Sequence, residues 1–307
     1  MAAEANKSIT RLMDDDGPDV RYGESLLARA GRRLRKDKLT LVALAIMSLL
    51  ALLALFAPII TTNILRVDPE FTNPVERLQP PFMTSHVLGT DDLGRDYLAR
   101  LLHGGRISMT IGFFGALITL IIGLTLGMMA GYFGGRVDDI MNWVITTLDS
   151  IPTLYLLILV STLLRPSPEA LILVLALTGW TGTTRLMRGQ TLAIRHLEYI
   201  MSARAIGASP WRIMFIHILP NLLSVTMISL AGGIGALILV ESTLSFLKLG
   251  VQPPTPTWGN MLSNAQQFFT RGPHLSIIAG LLIFVTVLCL YVIGDGLRDA
   301  FDPRALD

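Results

Sequence analysis

Cysteine is nearly absent: Cys289 is the only one in 307 residues, so the chain can build neither a disulfide framework nor a thiolate metal cluster. Charge is scarce as well. Asp, Glu, Lys and Arg make up 16% of the chain against 51% for apolar residues, and the mean hydropathy is +0.56, a balance foreign to ordinary soluble domains. No Gly-x-x-x-x-Gly-Lys-Ser/Thr run occurs, so the chain has no P-loop with which to hydrolyse ATP by itself. The five histidines are isolated, without a His-Glu-x-x-His or a carboxylate at ligand spacing, which leaves a zinc or histidine-based catalytic site without a foundation. No internal repeat is visible, and this weighs against a secondary transporter made of inverted halves.

Long apolar runs are what the chain has in abundance. Six segments, at about 39–62, 107–131, 137–164, 169–187, 220–247 and 274–294, are each near the length a helix needs to cross a hydrocarbon core of about 30 Å. The expected fold is therefore an all-α integral membrane protein with six transmembrane helices. Basic residues gather before the first run, in Arg29, Arg32, Arg33, Arg35, Lys36 and Lys38, and again between the fourth and fifth, in Arg185, Arg188, Arg195, Arg204 and Arg212. Such a cluster could bind nucleic acid, but beside a membrane span it sets orientation, so both termini are expected in the cytoplasm and no nucleic-acid partner. Close to forty polar residues precede the first run, which is also too long for a signal-peptide core, and a cleaved leader is not expected.

Five regions follow from this division. Residues 1–38 form a cytoplasmic tail, partly disordered around the Asp14-Asp15-Asp16 run and closed by a basic interfacial helix; 39–62 are the first span. Residues 63–106 are an external segment, 107–297 a five-helix core containing the cytoplasmic loop 188–219, and 298–307 a second tail; Pro166 and Pro168 mark a short external turn. Within the external segment, Thr90 can cap a surface helix, Asp91 and Asp92 suit its positive end, Gly104-Gly105 would stop it, and Leu93, Tyr97 and Leu101 would share one face. Capping accounts for the acids without a calcium ion, since their spacing is not that of an EF-hand.

The most informative stretch runs from Glu198 to Arg212. It reads as a helix, a break and a second helix: Gly207 can adopt the left-handed conformation that ends the first, Ser209 can cap the second and Pro210 fits its first turn. Ala203, Ala205, Gly207 and Ala208 offer a small-residue surface at the break, and Pro220 is expected to separate the second helix from the following span.

This stretch resembles the cytoplasmic signature loop of binding-protein-dependent ABC importers, whose pattern is a Glu-Ala-Ala triplet, three residues, Gly, nine residues and Ile-x-Leu-Pro. Aligned on Gly207, the positions Ala203, Gly207, Leu219 and Pro220 match, whereas Met201, Ser202 and His217 depart from it. Ala-Arg-Ala-Ile-Gly-Ala-Ser is similar to the version found in the dipeptide and oligopeptide branch, and so are Leu88–Asp96 and Glu241–Leu262 with its Val251-Gln252-Pro253-Pro254 and Trp258-Gly259-Asn260; Lys248 stands where that branch often has a small residue. The first span after a basic tail fits the C-type permease of such systems.

The resemblance implies a type I ABC importer permease fold with a cytoplasmic coupling helix and an external interfacial helix. Glu198, Ser202, Ala203, Arg204, Ala205, Gly207, Ala208, Ser209 and Pro210 would be the ATPase-coupling residues. It further implies a second homologous permease, one or two ABC ATPase polypeptides that bind ATP and Mg, an extracytoplasmic solute-binding protein, a di- or oligopeptide substrate, no cofactor or metal in this chain, and a prokaryotic plasma membrane. Nickel chelates, glutathione-like peptides or sugars are alternative cargoes.

Other residues remain open between a pathway role and a structural one. Asp149 and Glu241 are the acids nearest membrane depth, where charged groups face a protein interior or a water-filled path, while Gly232, Gly233 and Gly235 could admit a neighbouring helix. Trp143, Trp180, Trp211 and Trp258 lie near span ends or loops, as interface anchors do. A stand-alone ion-coupled carrier would call for an internal repeat and buried charges in several spans, and a membrane enzyme for a cluster of nucleophile, base or metal ligands at one face; the sequence presents neither.

Overall fold

The computed structural model describes residues 26–82, 86–163 and 167–301; the acidic run at 14–16, the turn at Pro166 and the end of the chain from 302 lie outside the described residues. Among the described residues there is no β-strand, and five helices are long and apolar enough to cross a membrane, or six if a pair bent by 77° counts as one span.

A basic helix, α1 (Leu26–Lys36), leads into the first span, α2 (Lys38–Leu55), across Asp37, whose carboxylate accepts the Leu39 and Thr40 amides at 3.0 and 3.3 Å. A π-helical stretch, Ile60–Leu65, continues that span until Arg66 turns left-handed at φ 55°.

The next helix, α3 (Tyr97–Phe133), is 37 residues long, about 55 Å. It corrects the expectation of a surface helix capped at Thr90 and stopped at Gly104-Gly105. Thr90 instead pairs with Asp96 across a tight loop, and Asp96 is the cap, its Oδ1 accepting the Ala99 amide at 2.7 Å. Asp91 closes that loop by accepting the Leu93 and Arg95 amides, and it ion-pairs with Arg95 at 2.7 Å and Arg100 at 3.3 Å. The helix runs through Gly104 and Gly105 because bare backbone is what its neighbour requires: a Cβ at Gly105 would lie 2.8 Å from the Trp258 ring.

The third expected span is broken. Helices α4 (Gly135–Asp149) and α5 (Thr153–Leu163) meet at Pro152, which has no N–H to continue the ladder and whose carbonyl begins the next helix by accepting from Tyr155 and Leu156. Helix α6 (Pro168–Ile194), capped by Ser167, extends past the expected 187 and lies along α3. A short helix, α7 (Glu198–Ala205), precedes a rod from Pro210 to Phe246 that comprises one α-turn, a π-helical segment Ile213–Ile218 and α8 (Leu219–Phe246). Pro220 therefore does not separate two helices; it sits in the first turn of α8, directly after the wider π turns, where its missing amide is tolerated. Helices α9 (Trp258–Ala265) and α10 (Pro273–Phe301) complete the chain.

Alternation places α7, α1 and the end of α10 at one face, here called proximal, and the 66–96 segment with α9 at the other, distal face. Each face has its own core. The proximal one joins Met128, Tyr132, Ile200, Ile213, Met214, Ile218 and Leu222, and the distal one joins Tyr97, Leu101, Ile238, Trp258, Met261 and Leu275.

Candidate functional site

Helix α7 has two unlike faces. Ile200 and Ala203 turn inward onto Met128 and Tyr132 at the end of α3 and onto Met214 of the rod, and the Arg204 guanidinium lies 5.3 Å above the Tyr132 ring. Ala203, expected among the surface small residues, is thus buried, because the proximal core needs a small side chain where α7 meets α3. Glu198, Ser202, Arg204, Ala205, Gly207, Ser209 and Pro210 remain exposed, and Ala208 is half-buried.

The break itself is tightly specified. Gly207 takes φ +86° and donates to the Arg204 carbonyl, while the Ala208 amide reaches back to Ala203 at 3.0 Å, so the turn satisfies carbonyls at the helix end. No heavy atom lies within 4 Å of where a Gly207 Cβ would be, so the constraint there is the backbone conformation and not space. Ser209 then caps the rod, its hydroxyl accepting from the Arg212 amide at 3.4 Å.

Large apolar side chains crowd the outer surface of this break. Ile206 is 87% exposed, Met201 51% and Trp211 55%, and Trp211 stacks on Phe215 with centroids 6.0 Å apart. Exposed large apolar side chains thus stand on both sides of the left-handed Gly207 turn.

A family profile described as "Binding-protein-dependent transport system inner membrane component" matches residues 123–307, and a second, "N-terminal TM domain of oligopeptide transport permease C", matches 25–81. The chain belongs to this family of transport-system membrane components. Among the relatives of this permease, the "Dipeptide transport system permease protein DppC" of Alkalihalophilus pseudofirmus is 39% identical over 275 residues, covering 90% of this chain and 89% of that protein. The "Glutathione transport system permease protein GsiD" of Pectobacterium atrosepticum is 41% identical over 229 residues, 75% and 76% of the two chains. The fold is similar, at a TM-score of 0.54 and 18% identity over 66% of this chain and 96% of that one, to a chain of the structure titled "Inward facing conformations of the MetNI methionine ABC transporter".

The acids and glycines singled out along the permease's spans do not form one site. Asp149 ends α4 and is ion-paired with Arg185 of α6 at 2.6 Å. Arg188, one turn on, holds Asp138 of α4 through two guanidinium nitrogens, so two arginines tie α4 to α6. Gly232 has open space around it and Gly233 would place a Cβ 3.4 Å from that of Ala116, ordinary packing against α3. Glu241 is 0% exposed and accepts two hydroxyls at the distal face, those of Ser245 and Thr257.

Two features escaped the sequence reading. Trp258, expected as an interface anchor, is buried, and its indole N–H donates to the Leu101 carbonyl at 3.0 Å over the gap left by Gly104 and Gly105. Gly123, Gly127 and Gly131 form a stripe on α3 against which α6 lies, with a Cβ at each falling 2.6 to 2.8 Å from atoms of Thr183, Thr184, Arg188 or Thr191. Their four-residue spacing was the available signal.

Proposed function

We propose that this chain is the C-type permease subunit of an ATP-driven, binding-protein-dependent importer of di- or oligopeptides. It forms the path together with a second homologous permease and couples to one or two ABC ATPase polypeptides, which bind ATP and Mg, through the 198–212 loop; an extracytoplasmic solute-binding protein delivers the peptide. The proximal face is the cytoplasmic one, both termini lie there, and the membrane is the prokaryotic plasma membrane; the basic α1 and the arginines that flank α7 support this orientation. The chain contributes no catalytic residue and no cofactor of its own.

The observation that carries this reading is the two-faced α7, fixed by Ile200 and Ala203 on one side and presenting Met201, Ile206 and Trp211 around the left-handed Gly207 on the other. An apolar surface on the water side of a membrane protein needs a protein cover. The peptide cargo is supported by the names of the relatives, since glutathione is itself a tripeptide. Affinity purification from the native membrane in mild detergent, with every co-purifying chain identified by mass spectrometry, tests the proposal. Recovery of a second permease and Walker-motif ATPases is the expected result. Recovery of the chain alone, moving solute in liposomes without ATP, would replace the importer with a carrier.

A further inference from the structure

The distal face holds a hydrogen-bond node that the docking loop does not explain. Glu241 lies on α8 just over one turn before its end, wholly buried, and its Oε1 accepts from Ser245 Oγ on its own helix and from Thr257 Oγ1, both at 2.8 Å. Thr257 is the cap of α9: its hydroxyl also accepts the Asn260 amide at 3.1 Å, and its own amide donates to Asn260 Oδ1 at 3.0 Å. The next residue, Trp258, reaches the third helix, donating its amide to Ser108 Oγ of α3 at 3.1 Å and its indole N–H to Leu101 O. The cap and the first residue of α9 thus bond to α8 on one side and α3 on the other.

Packing makes the same connection. A Cβ at Gly259 would stand 2.7 Å from the Ser242 Cα and 3.0 Å from Glu241 Oε2, so α9 lies directly on the α8 backbone. Both hydroxyl bonds to the carboxylate from Ser245 and Thr257 fall on Oε1. Burying an acid is costly, and the hydrogen bonds to its carboxylate offset part of that cost.

The rod that carries Glu241 begins at Pro210, beside the docking loop, and runs unbroken to Phe246, about 55 Å away. We infer that the Glu241–Thr257 hydrogen bond, together with the Trp258 contacts to Ser108 and Leu101, welds α8, α3 and α9 into one rigid unit, so that a displacement imposed at the proximal loop is delivered to α9 at the distal face. Glu241 is a positioning residue in this device. The inference rests on the importer reading, in which an ATPase drives the proximal loop.

The test uses the full importer complex in nanodiscs, with Cys289 replaced by Ala and spin labels at Ile216 on the rod and Gln266 at the end of α9. In the parent complex the label-to-label distance is expected to stay narrow and unchanged between nucleotide-free and ATP-trapped states. In Glu241→Ala it is expected to broaden, with basal ATPase activity kept and peptide-stimulated activity down about tenfold, the size expected for a buried hydroxyl left without its acceptor. Glu241→Gln keeps the Oε1 acceptor and is expected to restore both readouts, whereas Thr257→Val, which keeps the shape but removes both the donor to Glu241 and the acceptor for the Asn260 amide, should reproduce Glu241→Ala even if that variant fails to fold. A narrow distance and full stimulation in Thr257→Val would overturn the weld, as would a parent distance that changes with nucleotide. A failure of the complex to assemble with an ATPase would count against the importer reading, and a broad parent distance in the assembled complex against the weld.

Discussion

Gly127 of α3 lies so close to Met187 of α6 that a Cβ on the glycine would stand 2.8 Å from the Met187 Cβ and 2.7 Å from the Thr184 carbonyl oxygen. Lipid offers no hydrophobic drive to bring two apolar helices together, so close backbone approach and the dispersion contacts it allows hold this pair. Gly127→Leu should therefore push α6 away and destabilise the permease by about 1–3 kcal/mol, the usual cost of overpacking. Gly182→Ala, on α6 with open space around it, should leave stability unchanged. Thermal unfolding in detergent, followed by access to buried Cys289, distinguishes the two.

The two arginine ties between α4 and α6 have different environments. Asp149 and Arg185 are 34% and 51% exposed, and their pair should contribute little, whereas Asp138 and Arg188 are more enclosed and doubly bonded. Asp138→Ala is expected to cost about 1.5–3 kcal/mol, the range for hydrogen bonds to charged groups. The exchanged double variant Asp138→Arg with Arg188→Asp should regain part of that loss, as a double-mutant cycle on unfolding midpoints would show. An additive cycle would mean that the two residues act independently.

Hydropathy made the spans legible because burial in lipid demands long apolar runs, and the dihedral preference of glycine made the Gly207 turn legible because only local geometry was needed. What could not be read depends on partners distant in sequence. Gly104 and Gly105 look like a helix stop until Trp258, some 150 residues on, is seen to occupy the space they leave. Pro220 looks like a break until the preceding π turns are known to absorb it, and Pro152, overlooked within an apolar run, does make one. Glu241 is conspicuous in the sequence as an acid at membrane depth, but its bond to the cap of α9 follows from the fold alone.

On the distal face, His86 bridges two acids, with Nδ1 2.8 Å from Asp96 and Nε2 3.3 Å from Glu76. Burial alone would lower its pKa, but the hydrogen bonds and charges of Asp96 and Glu76 together raise it above the ordinary histidine value. A raised folded pKa means that the stabilisation is complete below the unfolded value of about 6.5 and is lost as pH rises through the folded one. Because Asp96 also caps α3, the 66–96 segment should become more susceptible to limited proteolysis as pH rises above about 6.5, a change that His86→Gln should flatten. Half-buried Asp92, whose pKa burial and the neighbouring Asp91 raise, would add its own change at more acidic pH.

Gly207→Val tests the proposed docking surface most directly. The position has φ +86° and no neighbour within 4 Å, so the valine meets no clash, and its cost is the left-handed backbone itself, about 1–2 kcal/mol, aggravated by β-branching. A turn that relaxes to negative φ would swing Ile206 and re-aim the start of the rod at Ser209 while leaving the Ile200 anchor in the proximal core. The expected outcome is an assembled complex whose basal ATPase activity persists but no longer responds to peptide. Gly207→Asn, which tolerates left-handed geometry, should retain most of the response. Normal peptide-stimulated ATPase activity in the valine variant would show that this turn does not transmit the signal.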